Sequence, residues 1–135
     1  MKTNYKFYKD HRFLVVDDDP RLRDHAVSVL VDIGFSKDAI LTADSGKHAI
    51  EVLKQPGVDV EFFVIDLVMP EMNGIELLKI LSKNKKYQST PKLVLSSEID
   101  SNIILNAVSA GANSYLNKPC EKLSLAKKLF ECVSK

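Results

Sequence analysis

The chain has 135 residues, the length of one ordinary domain and too short for two of typical size. Apolar residues make up 45% and charged residues 27%, a globular balance that excludes a disordered or fibrous chain. With 19 basic and 18 acidic residues the formal net charge is only +1, which speaks against direct nucleic-acid binding driven by counterion release.

The polar start, MKTNYKFYKDHR, lacks the apolar stretch of a signal peptide, and no run approaches the roughly 18 to 20 apolar residues that span a bilayer. The expectation is a cytoplasmic protein with no membrane contact. Residues 1–12 read as an N-terminal arm, frayed or paired with something, ahead of one domain at 13–135. From residue 13 onward short apolar runs alternate with helical periodicity, the pattern of βαβ units and a parallel sheet. The first strand is expected at 13–16. Asp19-Pro20 then supplies a helix cap followed by proline at the first helical position, and Leu22, Ala26, Val29, Leu30 and Ile33 share a face before Gly34.

A second strand is expected at 39–43, and a second helix from Ser45 that buries Ala49, Ile50 and Leu53 and stops at Pro56-Gly57. The third strand, 62–65, is continuously apolar, and a third helix follows Asn73-Gly74 with Leu77, Leu78 and Leu81 inward. Residues 82–91, SKNKKYQSTP, read as a solvated loop rather than a basic patch for an acidic partner. A fourth strand falls at 93–95, a fourth helix runs to Gly111, and a fifth strand lies at 115–116. The last helix shows Leu125, Ala126, Leu129, Phe130 and Val133 on one face, with Lys122, Lys127, Lys128 and Glu131 toward solvent. The first, third and fourth strands are the most apolar and are assigned to the sheet interior.

Ligands of an open parallel sheet sit beyond the carboxyl ends of its strands, where the loops diverge. Here the first strand ends in Asp17-Asp18-Asp19, the third in Asp66, the fourth in Ser96-Ser97 and the fifth in Asn117-Lys118-Pro119. Clustered carboxylates repel one another unless a cation is present, and an all-oxygen set favours a hard ion, Mg²⁺ or Mn²⁺. Asp66 at a buried strand tip can attack a phosphoryl group, with Lys118 and the ion stabilising charge on the transferring oxygens and Ser96 donating to one of them. Taken singly, Asp17 or Asp18 could be a helix cap, Ser96 a turn residue and Lys118 a surface lysine; the set carries the reading. His11, His25 and His48 stand at no ligand-like spacing and receive no metal or catalytic role. Cys120 and Cys132 form neither a disulfide framework nor a zinc motif and read as reduced bystanders.

The stretches VVDDDP, FFVIDLVMPEMNGIELL, LVLSS and Lys118-Pro119 together resemble the receiver domain of bacterial two-component response regulators over about residues 12–134. The resemblance implies an α/β, doubly wound, five-stranded flavodoxin-like sheet of order 2-1-3-4-5 with five helices in three layers. It implies phosphorylation of Asp66 by a histidine kinase or histidine phosphotransfer protein. Magnesium would be held by Asp18, Asp66 and the backbone carbonyl of Val68, with Asp17 assisting. It also implies a cis peptide before Pro119, a loop shaped by Met69-Pro70 and Gly74, and a switch pair Ser96 and Tyr115. That pair would alter the surface of the fourth helix, fifth strand and fifth helix, where a downstream protein or a second copy binds. Val68 cannot hydrogen-bond an attacking water, whereas Glu98 could, so autodephosphorylation is expected to be slow. The domain is thus expected to catalyse its own phosphorylation without being an enzyme in the turnover sense. The alternatives are a non-phosphorylated scaffold, which would lack one of the acids or the lysine, and an aspartate-nucleophile phosphatase, which would carry a second acid two residues after Asp66. A flavin-binding flavodoxin would need a phosphate loop after the first strand.

Overall fold

The computed structural model describes residues 7–69, 71–97 and 100–133. Five parallel strands, β1 (Phe13–Val16), β2 (Ile40–Ala43), β3 (Phe62–Asp66), β4 (Lys92–Ser96) and β5 (Ser114–Asn117), form one sheet in the order β2-β1-β3-β4-β5. Between and after them run α1 (Pro20–Ile33), α2 (Gly46–Leu53), α3 (Gly74–Ser82), α4 (Ser101–Ala110) and α5 (Lys122–Val133). This is the expected doubly wound, flavodoxin-like architecture with β1, β3 and β4 inside. Among the described residues no helix is long and apolar enough to cross a membrane.

Successive side chains of a strand face opposite sides of the sheet, and the interior strands use both sides for core. Leu14, Val16, Phe63, Ile65 and Val94 pack in one cluster with Ala49 of α2, Leu77, Leu78 and Leu81 of α3 and Ala107 of α4. Phe13, Val15, Phe62, Val64, Leu93 and Leu95 pack in the other with Ala26, Val29 and Leu30 of α1 and Leu125, Leu129 and Cys132 of α5. The result is three layers. Parallel register sets Val16 of β1 beside Ile65 of β3, and Asp66 beside Leu95 of β4.

The helix ends follow from local chemistry. Asp19 accepts from the Arg21 amide at 2.9 Å, and Ser45 from the His48 amide at 3.0 Å. Asn73 and Glu76 form a reciprocal capping box at 3.0 and 3.2 Å. Gly34 closes α1 at φ 132°, a conformation that side chains rarely adopt, and its amide turns back to the Leu30 and Val31 carbonyls.

Three local expectations are corrected, and one left open is decided. Residues 82–91 are only partly a solvated loop: Tyr87 is 2% exposed and its hydroxyl accepts from the Val60 amide at 3.5 Å. Strand β4 begins one residue earlier than expected, at Lys92, whose fully buried ammonium donates to the carbonyls of Tyr87, Gln88 and Thr90 at 2.8, 3.3 and 2.7 Å. Phe130 is 59% exposed, and Cys132 takes the inward position instead, because Phe130 lies against Phe7 at the rim of α5. Of the two readings of the arm, frayed or paired, the residues from Phe7 onward follow the second. The Phe7 ring packs against Phe35 and Phe62, and the Lys9 carbonyl accepts from the Ser36 amide at 2.7 Å. Residues 1–6 and Pro70, Glu98, Ile99, Ser134 and Lys135 lie outside the described residues.

Candidate functional site

Adjacent registers of β1 and β3 carry Asp17 and Asp66 to the same sheet edge, both nearly excluded from solvent at 2% and 3% exposure. The Asp17 amide continues the sheet by donating to the Ala43 carbonyl at 3.1 Å, and its Oδ1 accepts from the Asp19 amide at 2.9 Å. Arg23, in the first turns of α1, holds the Asp17 carbonyl through Nη1 at 2.8 Å. Asp18 is exposed, yet a carboxylate oxygen from each of Asp17, Asp18 and Asp66 lies within 4.8 Å of the others.

Lys118 enters from the loop after β5. Its ammonium lies 2.9 Å from Asp17 Oδ2 and 2.9 Å from Asp66 Oδ1, with the side chain 9% exposed. Its amide donates to the Ser96 carbonyl at 3.0 Å, and its bond to Pro119 is cis, as expected. Asp66 Oδ1 also accepts from the Val68 amide at 3.3 Å. Ser96 is buried at the tip of β4. Gly74 is required by contact: a β-carbon there would stand 2.4 Å from the Asp66 carbonyl oxygen, so only glycine lets α3 start against the end of β3.

The charges do not balance, since three carboxylates face one ammonium. Burial pushes the Asp66 carboxyl up to about 6, a rise opposed by its bond to Lys118 and reinforced by the Asp17 charge. Burial works against the Lys118 ammonium, but its bonds to Asp17 and Asp66 outweigh it and hold its pKa above the usual lysine value. An all-oxygen donor set with excess negative charge, partly buried and open on the Asp18 side, suits a hard divalent cation. The donors therefore fit magnesium.

The residues chosen at strand ends thus converge, with Asp17, Asp18, Asp66, Lys118 and Ser96 on one edge. Tyr115 stands half-buried on β5, and the Lys128 ammonium lies 4.9 Å from its ring centre. Val68 is 67% exposed. Sequence spacing did not reveal two supports from α1, the Arg23 contact to Asp17 and a 2.7 Å bond between His25 Nε2 and the Cys120 carbonyl. Both are side chain to backbone bonds across the fold, which leave no periodic trace.

A parallel doubly wound sheet with an acid pair, a further aspartate and a lysine at its carboxyl edge defines a class of phosphoacceptor signalling domains. The chain belongs to the response regulator receiver domain family, whose description matches residues 13–130. It is 35% identical over 122 residues to the chemotaxis protein CheY homolog of Campylobacter jejuni, covering 90% of this chain and 92% of that one. Among solved structures, Vibrio cholerae chemotaxis protein CheY4 superposes with a TM-score of 0.79 at 28% identity, covering 88% of this chain and 95% of that one. The receiver domain of a Pseudomonas aeruginosa sensor histidine kinase, solved with magnesium in its active site cleft, shares the fold with a TM-score of 0.77 at 19% identity, covering 91% and 97%. The general role of this family is to accept a phosphoryl group within two-component signalling.

Proposed function

We propose that Asp66 is the phosphoacceptor of this chain and that its donor is the phosphohistidine of a histidine kinase or histidine phosphotransfer protein. The observation that carries this is the buried Asp66 carboxylate bridged to Asp17 by Lys118 at 2.9 Å on either side. A carboxylate oxygen of Asp66 attacks phosphorus in line. The new acyl O–P bond forms as the donor P–N bond breaks, and its electron pair returns to the imidazole. Lys118, already within hydrogen-bond distance of that carboxylate, is placed to meet the negative charge on the phosphoryl oxygens. Ser96 at the neighbouring strand tip donates its hydroxyl once the group is attached. Tyr115 follows it inward, and the α4-β5-α5 face changes for a downstream protein or a second copy.

Asp17, Asp18, Asp66 and the backbone carbonyl of Val68 would hold Mg²⁺, with Mn²⁺ an acceptable substitute. When bound, the ion neutralises the carboxylates and the incoming phosphate. The apolar Val68 side chain offers no hydrogen bond to a hydrolytic water, which supports slow autodephosphorylation. The domain acts in the cytoplasm as a self-phosphorylating acceptor and not as a turnover enzyme.

The test is incubation with acetyl phosphate and Mg²⁺, followed by intact mass and alkali treatment. One base-labile phosphoryl group is expected on the wild type, and none with EDTA or in Asp66→Asn. A modification that survives in Asp66→Asn would refute the assignment.

A further inference from the structure

We propose that His25 is a positioning residue for Lys118, bracing from α1 the loop that delivers the ammonium; this rests on the phosphoacceptor reading above. The His25 Nε2 atom lies 2.7 Å from the carbonyl oxygen of Cys120, 95 residues further on. A carbonyl oxygen only accepts, so Nε2 is the protonated nitrogen, a state shared by the imidazolium and one neutral tautomer. The bond does not need a charged histidine.

Its place in the fold gives it a purpose. Lys118, Pro119 and Cys120 cross from β5 to α5 without belonging to either element. On one side this segment is pinned to β4, where the Lys118 amide donates to the Ser96 carbonyl at 3.0 Å. On the other it is pinned to α1 by His25. The same helix holds the opposite end of the ion triad, since Arg23 bonds the Asp17 carbonyl at 2.8 Å. Two side chains two residues apart on α1 therefore tie the backbones that carry Asp17 and Lys118, the two groups flanking Asp66. A lysine bridging two carboxylates at 2.9 Å tolerates little drift, because misplacing a charge by about 1 Å removes much of its transition-state advantage.

The experiment compares wild type, His25→Ala and His25→Gln. Alanine removes the donor from an exposed helical position without disfavouring the helix, while glutamine returns an N–H at nearly the same reach. With acetyl phosphate, His25→Ala should take up phosphate about three- to tenfold more slowly, the value of one hydrogen bond read as a rate. His25→Gln should stay within about twofold of wild type on the same scale. The second readout is the ¹H–¹⁵N signal of the Lys118 ammonium in protein free of divalent ions, which should broaden or move in His25→Ala and remain in place in His25→Gln. An unchanged rate and ammonium signal in a folded His25→Ala protein overturns the proposal, as does an equal loss in both variants. A wild type that takes up no phosphate would instead overturn the phosphoacceptor reading, and the ammonium signal alone would then decide the brace.

Discussion

Replacing Asp66 by asparagine should stabilise the protein when no divalent ion is present. Burial raises the folded carboxyl from 3.8 to about 6, a rise of about two units that makes the ionised form cost about 3 kcal/mol in the folded state at neutral pH. Asparagine has the same shape and keeps an oxygen for the Val68 amide, which the carboxylate accepts at 3.3 Å. That cost is already net of the attraction of Lys118, which stays paired with Asp17 at 2.9 Å. The gain expected is therefore up to about 3 kcal/mol. A raised folded pKa contributes stability that is complete below 3.8 and lost as pH climbs through about 6. The advantage of Asp66→Asn should accordingly be full at pH 7.5 and shrink toward pH 4. Urea unfolding in EDTA at both pH values measures it, and adding Mg²⁺ should raise the wild type and leave the variant nearly unmoved. A variant less stable than wild type at pH 7.5 in EDTA, by a margin that does not change with pH, would refute the reasoning.

Lys118→Met should slow phosphorylation from acetyl phosphate by about 10²- to 10³-fold, as for loss of one charge-stabilising donor; a loss under tenfold in stopped assays would remove Lys118 from the site. Gly74→Ala sets a β-carbon 2.4 Å from the Asp66 carbonyl oxygen, so thermal unfolding should show a loss of about 2–3 kcal/mol together with slower phosphate uptake. Lys92 has its pKa lowered by burial to about 8, and the unfolded chain therefore binds the extra proton between about 8 and 10.5. Wild-type stability relative to Lys92→Met should climb by up to about 3 kcal/mol across that window, and a difference constant with pH would contradict it.

The sheet order and the acids were legible because both depend on strand tips. An apolar run that ends in Asp66, or in Asp17-Asp18, announces where the chain leaves the core, and a parallel sheet gathers such ends on one edge. Lys92 was not legible in the same way. A lysine beside a polar loop usually sends its ammonium to water, and nothing in SKNKKYQSTP indicates that the loop turns three carbonyls inward to receive it. Helical periodicity placed Phe130 in the core, whereas Cys132 lies there and Phe130 meets Phe7 from a segment with no periodicity of its own. His25 went unassigned for a related reason: its partner is a backbone carbonyl 95 positions away, and any residue type supplies a carbonyl.

The pairing of Val16 with Ile65 across β1 and β3 makes the placement of the Asp66 carboxylate a matter of counting. One residue added to or removed from Phe62–Ile65 would send Asp66 to the opposite side of the ribbon, among the helices, and bring an apolar neighbour to the crevice. Changes of length in the turns that join helices to strands alter no such parity. Tolerance of insertions in this chain should be all or nothing, divided by whether the extra residue falls inside a ladder or outside it.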